Sequence, residues 1–236
     1  MTSRSAEVAR LAALLADSTR AGFCLALLDG RAWTAGELAA QAKVAASTAT
    51  EHLNRLVEGG LVVERRQGRH RYVQLASHRV AAMLEDFVAF LGPVDERGNT
   101  LKVATASAAL ARGRTCYDHL AGRLGVAITD AMTGRGLIEA RDGFALTKAG
   151  MDWLTGPLAV DPGRLRATRR PLAKACLDWT ERRSHLAGAS GAQIHRRFRE
   201  NGWIRRSGTG RAVRLTPAGA VALRDLLGIE DDTLLT

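Results

Sequence analysis

The sequence predicts a mainly α-helical chain with small β-hairpins, an α+β fold in which a longer N-terminal unit is followed by two shorter, related ones. Three observations predict it. Apolar residues recur at helical spacing along most of the 236 residues, short runs of strand composition are interrupted by Gly, and a residue pattern recurs at an offset of 66 in the second half.

Residues 5–16 place Val8, Leu11, Leu14 and Leu15 on one helical face, and Ser18 or Thr19 is positioned to cap a second helix through Leu28, stopped by Gly30. Thr34 with Glu37 makes a capping box for a short third helix through Lys43, because each side chain can reach the other's free backbone N–H. After a tight turn at Val44–Ala46, a fourth helix runs from Ser47 to about Glu58. It buries Ala49, Leu53 and Leu56 and turns Ser47, Thr48, Thr50, Glu51 and Arg55 outward. Leu61–Arg66 and His70–Leu75 form a hairpin across Gln67-Gly68-Arg69, the wing of a winged helix-turn-helix. A fifth helix over residues 77–91 carries Val80, Met83, Leu84, Phe87, Val88 and Leu91 as an apolar stripe wide enough to require a partner, and Gly92-Pro93 stops it.

Beyond it the duplication begins. His119-Leu120-Ala121-Gly122 matches His185-Leu186-Ala187-Gly188, Gly125 matches Gly191, Ile128 matches Ile194, and Gly136-Leu137-Ile138 matches Gly202-Trp203-Ile204. After a three-residue insertion, Leu146-Thr147 and Ala149-Gly150 match Leu215-Thr216 and Ala218-Gly219. Each copy reads as helices, a hairpin and a last helix capped by Thr147 or Thr216, so the fold class is an N-terminal winged helix-turn-helix followed by two winged-helix-like repeats. The boundaries are 1–92, 93–156 and 157–236; the two repeats form either separate domains or one pseudo-symmetric domain.

A net charge of +10 favours polyanionic partners, and 15 basic against 8 acidic residues fall in 157–236. Seven arginines, Arg196, Arg197, Arg199, Arg205, Arg206, Arg211 and Arg214, crowd one stretch there. Three cysteines do not make a secreted disulfide framework, and neither an export signal nor a membrane span is legible, so a cytoplasmic location is expected. A ten-residue helix with short polar side chains suits the major groove, and Arg65, Arg66, Arg69, His70 and Arg71 around one turn suit phosphates or the minor groove. Taken singly, these features are also what a solvated helix and a solvated turn look like. Their order is what points to double-stranded DNA.

The run AASTATEHLNRLVEGGLVVERRQGRHRYVQL resembles the ArsR family of winged-helix repressors over residues 5–91. The resemblance implies a sequence-specific DNA-binding repressor, homodimeric through the helices at 5–16 and 77–91, with recognition by Ser47, Thr48, Thr50, His52 and Arg55. Metal sensing in that family uses cysteines in the third helix or His and carboxylates in the dimer helix. Here the third helix reads ELAAQAK and the fifth offers only His78, Glu85 and Asp86, so no metal site is expected at those positions.

Segments RTCYDHLAGRLG and CLDWTERRSHLAG are similar to the C-terminal extension of long members of that family. Cys116 and His119, three apart, are expected on one helix face, with Cys176 and His185 in the related copy. A thiolate–imidazole cluster of this kind binds soft metals or senses oxidants, and buried Cys is equally a small hydrophobe. The repeat region is therefore the expected seat of a small effector of unknown identity. No phosphate-binding loop, HExxH or nucleophile elbow occurs, so no catalytic residue and no cofactor is expected. The alternative is a winged-helix interaction scaffold that binds no specific DNA.

Overall fold

A computed structural model describes residues 3–67, 70–91, 101–141, 143–208, 210–230 and 234. The chain divides into two compact units, Met1–Glu85 and Asp86–Thr236.

The first unit opens with α1 (Arg4–Leu15) and α2 (Ser18–Leu27). The cap of α2 is Asp17, one residue ahead of the expected Ser18 or Thr19, and its carboxylate accepts from the Arg20 backbone N–H at 2.9 Å. A two-residue strand, β1 (Trp33–Thr34), then leads into α3 (Ala35–Ala42). Thr34 and Glu37 exchange both bonds of the capping box. Lys43 takes the left-handed conformation (φ 56°) that turns the chain into α4 (Ala46–Glu58). β2 (Val62–Gln67) and β3 (His70–Leu75) pair antiparallel from Val62↔Leu75 to Gln67↔His70. β1 adds to the far edge of β3 through Trp33↔Val73, a strand too short to show as periodicity. Phe23, Leu27, Leu38, Ala49, Leu53, Leu56 and Val73 form the core. α5 (His78–Leu91) follows; Gly92-Pro93 lies outside the described residues.

The second unit takes in the end of α5 from Asp86, continues with α6 (Leu101–Arg112) and then repeats one order of elements twice. The first copy runs β4 (Arg114–Cys116), β5 (His119–Ala121), α7 (Gly122–Gly134), β6 (Ile138–Glu139), β7 (Ala145–Leu146) and α8 (Lys148–Thr155). A short α9 (Pro162–Arg166) intervenes. The second copy runs β8 (Lys174–Leu177), β9 (Ser184–Ala187), α10 (Gly188–Glu200), β10 (Ile204–Arg206), β11 (Val213–Leu215) and α11 (Pro217–Leu227). Thr147 and Thr216 cap α8 and α11 as expected. Each copy opens with a hairpin that periodicity over three residues cannot distinguish from a helix.

One core serves both copies, drawing Leu124, Met132, Ile138 and Leu154 from the first and Ile194, Phe198, Leu215 and Leu223 from the second. α7 packs on β9 and α10 on β5, so each helix rests on the other copy's hairpin. The repeated glycines let each helix start close against its own copy's second strand, and the opposite copy's His185 or His119 Cβ then lies 3.7 Å or 3.2 Å from where a Cβ would be. A Cβ on Gly125 would sit 2.4 Å from the Leu120 carbonyl oxygen, and one on Gly191 would sit 2.3 Å from that of Leu186.

Candidate functional site

The helix that follows the α3–α4 turn presents Ser47, Thr50, Glu51 and Arg55 to solvent, with Thr48 half-buried beside them. Arg55 donates to Glu51 at 2.6 Å, an exposed pair one helical turn apart that holds the guanidinium loosely on the face. Thr50 Oγ1 donates back to the Ala46 carbonyl at 2.8 Å. Asn54 shares the exposure of this face, a residue the sequence reading passed over. His52 is placed differently from the others. Its ring meets Phe23 edge-on at 6.5 Å and its Nδ1 lies 3.4 Å from Arg20 Nη1, so it packs inward. Arg20, almost fully buried, in turn donates to the Leu14 and Ala13 carbonyls at the end of α1.

Within the wing, Arg65 and Arg66 are exposed, while Arg71 is held by Glu64 across the hairpin at 2.7 Å. His70 closes the described ladder opposite Gln67, and Arg69 lies outside the described residues.

The duplicated unit holds a different kind of site. Cys116 and His119 do not share a helix face. They are directly opposed in the β4–β5 hairpin, and Cys176 and His185 are directly opposed in β8–β9. Opposed residues on one face of a hairpin bring their side chains together, and the two hairpins bring the pairs together. Cys116 Sγ lies 3.8 Å from Cys176 Sγ, and His119 Nε2 lies 3.1 Å from His185 Nε2. All four donor atoms lie within 4.8 Å of one another. Three of the residues are buried and Cys176 is half-buried.

Two carboxylates stand behind the imidazoles. His119 Nδ1 is 3.3 Å from Asp118 Oδ1, and Arg170 grips the same carboxylate. His185 Nδ1 is 3.4 Å from Asp178 Oδ2, which is also 3.1 Å from Arg114 Nη2 in an ion pair with no solvent exposure. Arg114 further donates to Thr180 and lies over the Trp179 ring at 4.6 Å. Burial alone would raise the Asp178 carboxyl, but Arg114, Thr180 and the backbone N–H groups of Glu181 and Gly122 bring it down to about 2. Burial likewise opposes the charged form of His119, yet hydrogen bonds to Asp118 and Cys176 push that imidazole up to about 9. The hydrogen bond from Cys116, followed by those from the two imidazoles, holds the Cys176 thiol far below its ordinary range against the effect of burial.

Sequence reasoning named the four donors but not Asp118, Asp178, Arg114 or Arg170. A signal existed: Cys-x-Asp occurs as Cys116-Tyr117-Asp118 and again as Cys176-Leu177-Asp178. It was hidden because it recurs at 60 residues while His119 and His185 recur at 66. The second hairpin has a longer loop between its Cys and its His.

A family model described as a helix-turn-helix domain matches residues 15–65. The uncharacterized HTH-type transcriptional regulator YdfF of Bacillus subtilis is 36% identical over 224 residues, covering 94% of this chain and 98% of its own. The chain belongs to the ArsR family of winged helix-turn-helix transcriptional regulators. Its N-terminal unit is accordingly a helix-turn-helix DNA-binding domain. The HTH-type transcriptional regulator CmtR of Mycobacterium tuberculosis is 38% identical over 92 residues, 39% of this chain and 77% of CmtR. Among solved structures, the NMR structure of the cadmium metal-sensor CmtR from that organism is similar with 36% identity, 39% coverage of this chain, 96% of that one, and a TM-score of 0.32. HlyU from Vibrio cholerae N16961 is similar with 30% identity, 37% and 94% coverage, and a TM-score of 0.34. The matched helix-turn-helix region of this ArsR-family chain does not include Cys116, His119, Cys176 or His185. Among the described residues no helix is long and apolar enough to cross a membrane.

Proposed function

We propose that this ArsR-family regulator is a homodimeric repressor that reads operator DNA through α4 and the β2–β3 wing and is released when an effector engages the duplicated unit. What carries the reading is where the polar chemistry lies. In the winged unit Ser47, Thr50, Glu51, Arg55, Arg65 and Arg66 face solvent, whereas the soft donors of the second unit are enclosed. Exposed short polar side chains on a helix can meet base edges, and exposed arginines on a hairpin can meet phosphates. His52 acts in this reading by holding α4 against Phe23 and Arg20, not by touching bases.

The second copy of the chain is proposed to dock on α1 and α5. α1 buries none of its residues, Val8 is 59% exposed, and Phe87, Phe90 and Leu91 stand 51%, 88% and 79% exposed at the end of α5. Exposed aromatic and aliphatic residues in a run mark an association surface. Two-fold symmetry would place two α4 helices on successive half-sites. Arg205 and Arg214, directly opposed in β10–β11 and both exposed, are proposed to touch flanking DNA, since like charges held opposite one another favour an anion between them.

The test is a mobility shift of operator fragments selected by the full chain, run with and without soft metal ions and oxidants, for wild type and Cys116→Ser/Cys176→Ser. Release of wild type and retention of the double variant is the expected result. Equal release of both would remove these cysteines from sensing, and no retardation of any fragment would remove the DNA reading.

A further inference from the structure

The four donors converge in a way that their neighbours dictate. A carboxylate can only accept, so His119, whose Nδ1 meets Asp118 at 3.3 Å, carries its hydrogen there when neutral, whereas His185 Nδ1 lies 3.4 Å from Asp178 without a hydrogen bond. The Nε2 atoms of His119 and His185 face each other across 3.1 Å in the core. One hydrogen between them makes a single hydrogen bond, whereas a cation meets both nitrogens at once. The two sulfur atoms border the same point, so four ligand atoms converge in one largely buried place.

Distances identify the charge that fits. A tetrahedral ion with two thiolates at about 2.3 Å and two imidazoles at about 2.05 Å sets its sulfurs about 3.8 Å apart and its nitrogens about 3.3 Å apart. The observed separations are 3.8 Å and 3.1 Å. Sulfur–nitrogen edges in that tetrahedron are about 3.6 Å. With all four donors already within 4.8 Å of one another, closure on an ion takes side-chain movements on the order of an ångström.

We infer that Cys116, His119, Cys176 and His185 form a tetrahedral S2N2 site for a zinc-type divalent cation, built across the pseudo-two-fold relation between the two copies. In the bound site both sulfurs are thiolates and both imidazoles are neutral ligands through Nε2, and the protons these groups held pass to solvent. Two thiolates then balance the 2+ ion, and the Asp118–Arg170 and Asp178–Arg114 pairs balance themselves, so the closed core carries no net charge. Cys176, the half-buried member, gives the route of entry. The inference rests on the effector reading above but names its chemistry: a soft or borderline tetrahedral cation, held half by each copy, so that binding ties the two hairpins together.

The experiment uses the full chain, reduced and stripped with chelator, and measures bound Zn2+ by equilibrium dialysis and Co2+ by absorption. The expected result is about one ion per chain, with Co2+ showing both the intense visible bands of tetrahedral coordination and thiolate-to-metal charge transfer. Cys176→Ser is expected to abolish the charge-transfer intensity in part and weaken affinity at least about 100-fold, and Asp118→Asn, which leaves all four ligands in place, about 10-fold to 100-fold. Circular dichroism and operator retardation of the same samples show that the variants fold. Wild type that binds no stoichiometric ion, or that resists binding because Cys116 and Cys176 have joined as a disulfide, overturns the site. Equal binding by Cys116→Ser/Cys176→Ser overturns it as well. Operator affinity measured alongside separates the two readings: stoichiometric binding with unchanged affinity keeps the site and removes its regulatory role, whereas release by a non-metal effector does the reverse.

Discussion

Cys24, in the first unit, is fully buried, and burial pushes its thiol up to about 12 although Arg20 acts in the opposite sense. Cys176, in the second, faces another thiol and two imidazoles and is held far below the ordinary range. The same residue type is inert in one region and poised in the other. The difference lies in what shares the interior with it. Burial without donors favours the neutral thiol, and burial among donors that favour the thiolate makes a ligand or a nucleophile. The wider contrast follows: the winged unit buries Arg20 and Asp29 but keeps the polar side chains of α4 and the wing mostly on its surface, whereas the duplicated unit gathers its soft donors and their ion pairs in its core.

That contrast predicts effects of very different size. Asp178→Ala leaves Arg114 as an uncompensated charge with no solvent exposure, and urea denaturation is expected to register a loss of about 3–5 kcal/mol. A loss under about 1 kcal/mol would mean that water reaches the pair. Gly125→Ala is expected to cost about 1–3 kcal/mol, because its Cβ meets a backbone oxygen that cannot move aside; a neutral result would show that α7 and β5 can separate freely. Arg55→Ala should leave folding unchanged within about 0.5 kcal/mol. The same variant is expected to lose about 1–3 kcal/mol of discrimination between operator and mismatched DNA. Arg66→Ala should weaken all sequences alike and reduce the salt slope by about one. If Arg55→Ala behaved like Arg66→Ala, α4 would be a phosphate-binding helix and not the reader. Smallest of all, Thr34→Ala breaks the capping box at the start of α3 and should lower the melting free energy by about 1 kcal/mol with operator affinity intact.

Much of the winged unit was legible because its signals are local. The capping box at Thr34 and Glu37, the apolar spacing of Ala49, Leu53 and Leu56, and the Gly-centred hairpin each lie within a few residues. The inward packing of His52 is not legible in the sequence, because it depends on Phe23 and Arg20, about 30 residues away. In the second unit the repeat was visible, and with it the pairing of one Cys and one His per copy. Its geometry was not, since three residues between Cys116 and His119 satisfy a helix as readily as a hairpin, and only the register decides. The supporting ion pairs crossed the copies, Asp118 with Arg170 and Asp178 with Arg114, which no spacing within either copy could reveal.

The central claim is that the signal enters through the enclosed donors of the second unit and leaves through the exposed face of the first. Operator affinity of the reduced full chain, titrated with Zn2+ against chelator, tests it most directly when wild type and Cys116→Ser/Cys176→Ser are compared at one salt concentration. Wild type is expected to change affinity by about 5-fold to 150-fold on metal binding, a coupling of about 1–3 kcal/mol, and the double variant to remain where it started. An affinity that does not move in wild type, or that moves equally in both proteins, would contradict the account.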